Sequence, residues 1–304
     1  MGYGSWSNDA YEHLSRSYVD KSADDIFKDK EDVEMSAIDI NVRESRDSDE
    51  HPNSLAIMVF LDETGSMGII PEIIVKEKLG ALMSTLIDNG IEHPQILFSG
   101  IGDHISDRSP IQVGQFESET DKLDKWLTSL YLEGGGGGQN RESYLLAWLI
   151  AGRHTSIDCF EKRGEKGFLF TIGDEKSWDS VDSAHLKKLL GYSQADDVTD
   201  TQLLEEAQRL YNVYHIHVNE TGYRNDSDVL GYWKKMLGER LIILEDYNAI
   251  CETIATAVAV QHGVDMKTIV SKFDSKTAST VANALAMIPK NDLVAKNDEG
   301  ILKL

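Results

Sequence analysis

Leu55-Ala56-Ile57-Met58-Val59-Phe60-Leu61 runs straight into Asp62-Glu63-Thr64-Gly65-Ser66-Met67-Gly68. Seven apolar residues without polar alternation predict a strand buried on both faces, as in a parallel sheet. A carboxylate and two hydroxyls then stand at alternate positions, with a glycine between the hydroxyls that lets the backbone turn sharply. Three hard oxygen donors on one tight loop suit a hard divalent cation such as Mg²⁺. The plain alternative is an ordinary strand–turn–helix junction.

From Asn53 onward strands and helices alternate. A helix opened by Pro71 carries Ile73, Ile74, Leu79, Leu82, Met83, Leu86 and Ile87 at helical spacing, and Asn89-Gly90 stops it. Gln95–Gly102 reads as a second strand ending at Asp103-His104, and Ile111–Phe116 as a half-exposed edge strand. Helices are expected over Asp121–Leu132 and from Arg141 to about Arg153, with Gly134–Gly138 between them. Gly167–Ile172 is a further buried strand, followed by Gly173-Asp174-Glu175. Val213–Val218 and Arg240–Leu244 are the last strands. Helices are expected near Val181–Leu190, Thr201–Leu210, Asp228–Leu237 and Tyr247–Gln261. This alternation predicts an α/β fold: a doubly wound, mostly parallel six-stranded sheet with helices on both faces and one antiparallel edge strand.

Ligands of such sheets bind at the carboxyl ends of strands where the strand order reverses. If the Leu55–Leu61 and Phe168–Ile172 strands flank that reversal, Asp62 and Asp174 face each other and repel unless a cation separates them. The glycine run can let backbone approach a ligand closely, or be a loose linker. Asn140 and Glu142, expected at a helix start, can present oxygens to the same point.

The Asp-x-Thr-x-Ser pattern resembles the metal-ion-dependent adhesion site of von Willebrand factor A domains, and the likeness spans roughly residues 53–262. Gly134–Gly138 with Gln139-Asn140-Arg141-Glu142 resembles the family's glycine-containing threonine loop, which places Asn140 at the threonine and Glu142 at the glutamate position. Asp174 stands near the aspartate of the third element, in the order Gly-Asp where the common form is Asp-Gly. The resemblance implies Mg²⁺ (or Mn²⁺ or Ca²⁺) held by Asp62, Thr64, Ser66, Asn140, Glu142 and Asp174. Thr64 and Ser66 would bind directly, with an open position for a glutamate or aspartate of a partner protein. It implies a cytoplasmic adaptor rather than a catalyst, one that works beside an AAA+ ATPase.

Asp103 and His104, with Asp107, offer a second metal site or an acid–base pair, or are loop residues making turn hydrogen bonds. His215 and His217 read as half-buried structural histidines. Two other functions stand beside the adaptor. One is a metal-dependent hydrolase built on Asp62, Asp103, His104 and Asp174. The other is a structural or virion-associated protein whose metal only stabilises the fold.

A net charge of −22 repels phosphate backbones and anionic membranes, so neither nucleic acid nor membrane is expected as a partner. It favours cation uptake and a basic partner, or is simple acidic solvation. Cys159 and Cys251 are the only cysteines, which points to a reducing compartment. The first residues carry neither a basic n-region nor an apolar h-region. Gly134–Gly138 lacks the Lys-Ser/Thr of a phosphate-binding loop. Residues 1–52 read as an acidic arm and linker, either packed through its aromatics or disordered. The first 50 residues hold 14 acidic and 6 basic side chains. Residues 263–304 read as a helical extension, with Thr280–Ile288 its clearest helix.

Overall fold

A computed structural model describes residues 4–65, 67–134, 140–191 and 196–289. Six strands, β1 (Leu55–Asp62), β2 (Pro94–Ile101), β3 (Ile111–Val113), β4 (Gly167–Gly173), β5 (Tyr211–Val218) and β6 (Leu241–Leu244), form a mixed α/β core. Their order is β6-β5-β4-β1-β2-β3. All neighbouring pairs are parallel except β2 with β3. Every residue of β1, β2 and β4 is buried. Flanking helices cover these strands, so alternation is absent. Helix Leu79–Ile87 packs with Ile250–Gln261, and Tyr144–Arg153 packs with Asp200–Leu210.

The chain moves outward from β1 to β3, then returns to place β4 against the other side of β1, with Leu61 opposite Ile172. The carboxyl ends of β1 and β4 therefore adjoin. This juxtaposition brings the Asp62 loop and the Asp174 loop to one point.

Four local features differ from the sequence reading. The helix after β1 is not uniform: Ile69–Ile73 and Leu79–Ile87 are α-helical, and Ile74–Lys78 between them is a π-turn. A π-turn widens the coil and leaves carbonyls poorly paired. Here the Tyr11 hydroxyl donates to the Val75 carbonyl (3.4 Å). A β-carbon on Gly80 would collide with the Tyr11 ring, which explains the glycine one turn further on.

Strand β3, expected half-exposed, is buried throughout. The N-terminal segment covers its edge. Val113 N donates to Met35 O (2.7 Å), Ser36 bridges Gln112, and Arg43 Nη2 donates to Val113 O (3.0 Å). Covering an edge strand removes a template for unwanted pairing.

That segment is packed on the domain. Helix Asn8–Tyr18 is capped by Ser7 and buries Tyr11. Strand Arg43–Ser45 pairs in parallel with Thr155–Ile157. Phe27, Met35 and Ala37 join the common core.

Arg141-Glu142, expected to be helical, is extended and pairs in parallel with Lys176-Ser177. Helix Tyr144–Arg153 starts two residues later because Leu145 N finds the Ser177 hydroxyl (3.0 Å). At the other end of the chain, the expected Thr280–Ile288 helix is Ser275–Ala284. Asp274 sets its start by accepting from Lys276 N and Thr277 N. Val281, Leu285 and Ile288 are buried in the common core. No helix among the described residues is long and apolar enough to cross a membrane.

Candidate metal centre

Asp62 is the last residue of β1 and is buried. Its Oδ1 accepts from both Thr64 N (2.9 Å) and Thr64 Oγ1 (2.5 Å), which closes a tight turn. Its Oδ2 accepts from the Tyr144 hydroxyl (2.7 Å) at the start of helix Tyr144–Arg153. A β-carbon on Gly173 would overlap that hydroxyl, so the glycine ending β4 is what admits Tyr144. The Tyr144 ring is fixed in turn, edge-on to His215 (5.1 Å) and Trp233 (5.4 Å). His215 stacks on Trp233 (3.5 Å), with Nδ1 bonded to Thr171 Oγ1 (2.9 Å). His215 and His217 are completely buried, not half-buried as the sequence suggested.

Burial pushes the Asp62 carboxyl up to about 6. The Thr64 and Tyr144 hydrogen bonds favour its charge, while Asp174 opposes it. Facing it is Glu142, buried and pushed up to about 12, first by burial and then by Asp62 and Glu175. Glu142 Oε2 has no hydrogen-bond partner. Glu175, raised to about 7 by burial and by Asp62 and Asp174, shares hydrogen bonds with Glu142 and Tyr223. Asp174 is buried as well. Four carboxyl groups thus converge at the β1/β4 edge. Arg141 and Lys176 of the adjoining ladder point elsewhere: Arg141 to Asp179 (3.1 Å) and the Ser177 carbonyl, Lys176 to Asp228.

Carboxylate and hydroxyl oxygens are the donor type that a hard divalent cation takes. The Thr64 hydroxyl spends its proton on Asp62 and keeps lone pairs free. Glu142 contributes a buried oxygen with nothing to accept from. The mutual repulsion is what a cation relieves. Among the described residues no three His, Cys, Asp or Glu side chains form a ready-made metal cage.

Of the residues singled out in the sequence, Asp62, Thr64, Glu142 and Asp174 come together, and Ser66 lies outside the described residues, as do glycines 135–138 of the run. Asn140 does not join them. Its side chain donates to Asp228 (3.4 Å) and its carbonyl accepts from Lys176 N (3.1 Å). Asp103 is held within its loop, accepting from Ile105 N (3.0 Å), Ser106 Oγ (2.8 Å) and Trp178 Nε1 (2.8 Å). His104 Nδ1 bonds Ser143 Oγ (2.7 Å), and burial drives its ring down to about 4. Asp103 and Asp107 lie near enough to raise Glu142 further. Sequence reasoning missed Tyr144. The available signal was Gly173, a glycine ending a buried strand beside an aspartate.

No family model matches the chain, and no curated protein matches it. Among solved structures, it is similar to proximal thread matrix protein 1 of the mussel byssus, at 8% identity and a TM-score of 0.45. That match covers 73% of this chain and 49% of the mussel protein. It is also similar to the pilus adhesin SpaC of Lactobacillus rhamnosus GG in its open conformation, at 8% identity and a TM-score of 0.45. There the match covers 72% of this chain and 31% of the adhesin. The chain thus spans about half the length of the first protein and about a third of the second.

Proposed function

We propose that residues 53–262 form a doubly wound domain of the von Willebrand factor A type that binds Mg²⁺ and uses it to capture an acidic side chain of a partner protein. The observation that supports this reading is that buried Asp62, whose Oδ1 accepts from the Thr64 hydroxyl, lies close enough to buried Asp174 and Glu142 at the β1/β4 edge for their charges to repel. Asp62, Thr64 and Asp174 would hold the ion, with Ser66 added on the resemblance alone. The bound cation would supply a positive point for an incoming carboxylate in an otherwise acidic molecule. Glu142 tunes that point. Protonated, it leaves the ion electrophilic; as a direct anionic ligand it would neutralise it. An AAA+ ATPase remains the partner that the resemblance suggests.

The hydrolase alternative needs His104 as a ligand. Its ring is committed to Ser143 and edge-on to Trp178 (5.7 Å), which favours the binding module. The purely structural alternative parts from the adaptor on chelation. Affinity capture is run with wild type and Asp62→Ala, in Mg²⁺ and in EDTA. The adaptor loses its prey in EDTA and in the variant while staying folded. Prey held equally under all conditions would refute the mechanism.

A further inference from the structure

Glu63 is a buried acid that the site as described leaves unused. It is 2% exposed. Its Oε2 accepts from Gln112 Nε2 (2.5 Å). Its Oε1 lies where a β-carbon on Gly100 would stand and has no hydrogen-bond partner. Gly100 of β2 is thus the slot that admits this carboxyl. Gln112 has no slack. The same Nε2 donates to Tyr131 O (2.9 Å), and its Oε1 accepts from Tyr131 N (3.0 Å). The Glu63 backbone is tied on both sides, its N–H to Ile101 O (2.9 Å) and its carbonyl to Gly134 N (3.4 Å). The N-terminal segment fixes the far end of the chain of contacts: Ser36 bridges Gln112, and Lys28 bridges Tyr131.

An apolar side chain would fill this space at lower cost than an acid beside Asp62. A hydrogen bond that ties the loop between Asp62 and Thr64 to Gln112 accounts for the choice. We infer that Glu63 and Gln112 are positioning residues of the cation loop: Gln112, set by the strapped edge strand, holds Glu63, and Glu63 fixes the turn in which Asp62 meets Thr64. This inference rests on the reading of that loop as a cation site.

The test titrates MgCl2 into wild type, Glu63→Met, Gln112→Met and the remote core variant Val281→Ala by calorimetry. Thermal midpoints in EDTA and in Mg²⁺ are recorded alongside. Loss of a partner behind a metal ligand weakens affinity about 10–100-fold. The expected result is about a tenfold weaker Kd and a smaller Mg²⁺-induced rise in midpoint for both positioning variants, with the Val281→Ala Kd equal to wild type. Wild-type uptake with unchanged Kd in Glu63→Met and Gln112→Met overturns the inference alone. No uptake by wild type overturns it together with the reading beneath it.

Discussion

Among the described residues Asp62 receives three hydrogen bonds, two from Thr64 and one from Tyr144. Tyr144→Phe keeps the ring packing on His215 and Trp233 but strips Oδ2 of its donor. A buried carboxylate oxygen left unsatisfied costs about 1–3 kcal/mol. The variant should therefore lose about that much stability in chemical denaturation, and bind Mg²⁺ more weakly in calorimetry. Glu142 works in the opposite sense. Its folded pKa, raised to about 12, lies far above its unfolded value, so the folded state holds a proton that the unfolded state releases above about pH 4.5. Stability from this group therefore falls as pH rises from that point. Glu142→Gln should be more stable than wild type at pH 8 in EDTA, by on the order of 1–3 kcal/mol, the difference closing toward pH 4.5. Denaturant curves at three pH values check this; a constant difference would contradict it. At this scale the sequence brought Asp62 and Thr64 together, because an acid and a hydroxyl two residues apart at a strand end close a side-chain-to-backbone turn. Asn140 misled, because spacing in a loop does not say which way a side chain turns. Tyr144 was silent, because an aromatic at a helix start is ordinary core until Gly173 is seen opposite it.

The strands buried on both faces were readable because continuous apolar runs leave no solvent face, and their alternation with helices indicated parallel pairing but not the order of the strands. The failures at the element scale are tertiary in origin. Strand β3 is buried only because Met35 and Arg43 lie over it, and Arg141-Glu142 is extended only because Lys176-Ser177 offers a ladder from across the site. The π-turn at Ile74–Lys78 likewise depends on Tyr11, more than sixty residues upstream. Gly80→Ala should push the Tyr11 ring out of its seat and destabilise the fold by about 1–3 kcal/mol. Amide exchange should rise selectively in helix Asn8–Tyr18. Unchanged protection there would mean that the helix docks independently of the π-turn.

Across the whole molecule, the N-terminal segment is part of the core and not an appendage. Tyr11, Phe27 and Met35 are buried, and the strap they anchor closes the open edge of the sheet. Burying a large apolar side chain contributes about 1.5–3 kcal/mol. A chain lacking residues 1–40 should lose on the order of 5 kcal/mol and associate through the bared edge strand, as seen by denaturation and light scattering. A monomeric truncation of wild-type stability would contradict this. The acidic composition hid the integration, since a polar segment with five scattered aromatics also reads as a disordered arm. The same charge frames the site. On the proposed reading, a molecule of net charge −22 that gathers four carboxyls beside β1 and β4 would gain from a bound cation locally and globally.

Calorimetric titration of MgCl2 into wild type and Asp62→Ala tests that claim most directly. A single saturable site at or below millimolar Mg²⁺ in wild type, lost in Asp62→Ala while the variant remains folded, is the expected result. No uptake by the wild-type chain, or equal uptake by both, would contradict the account.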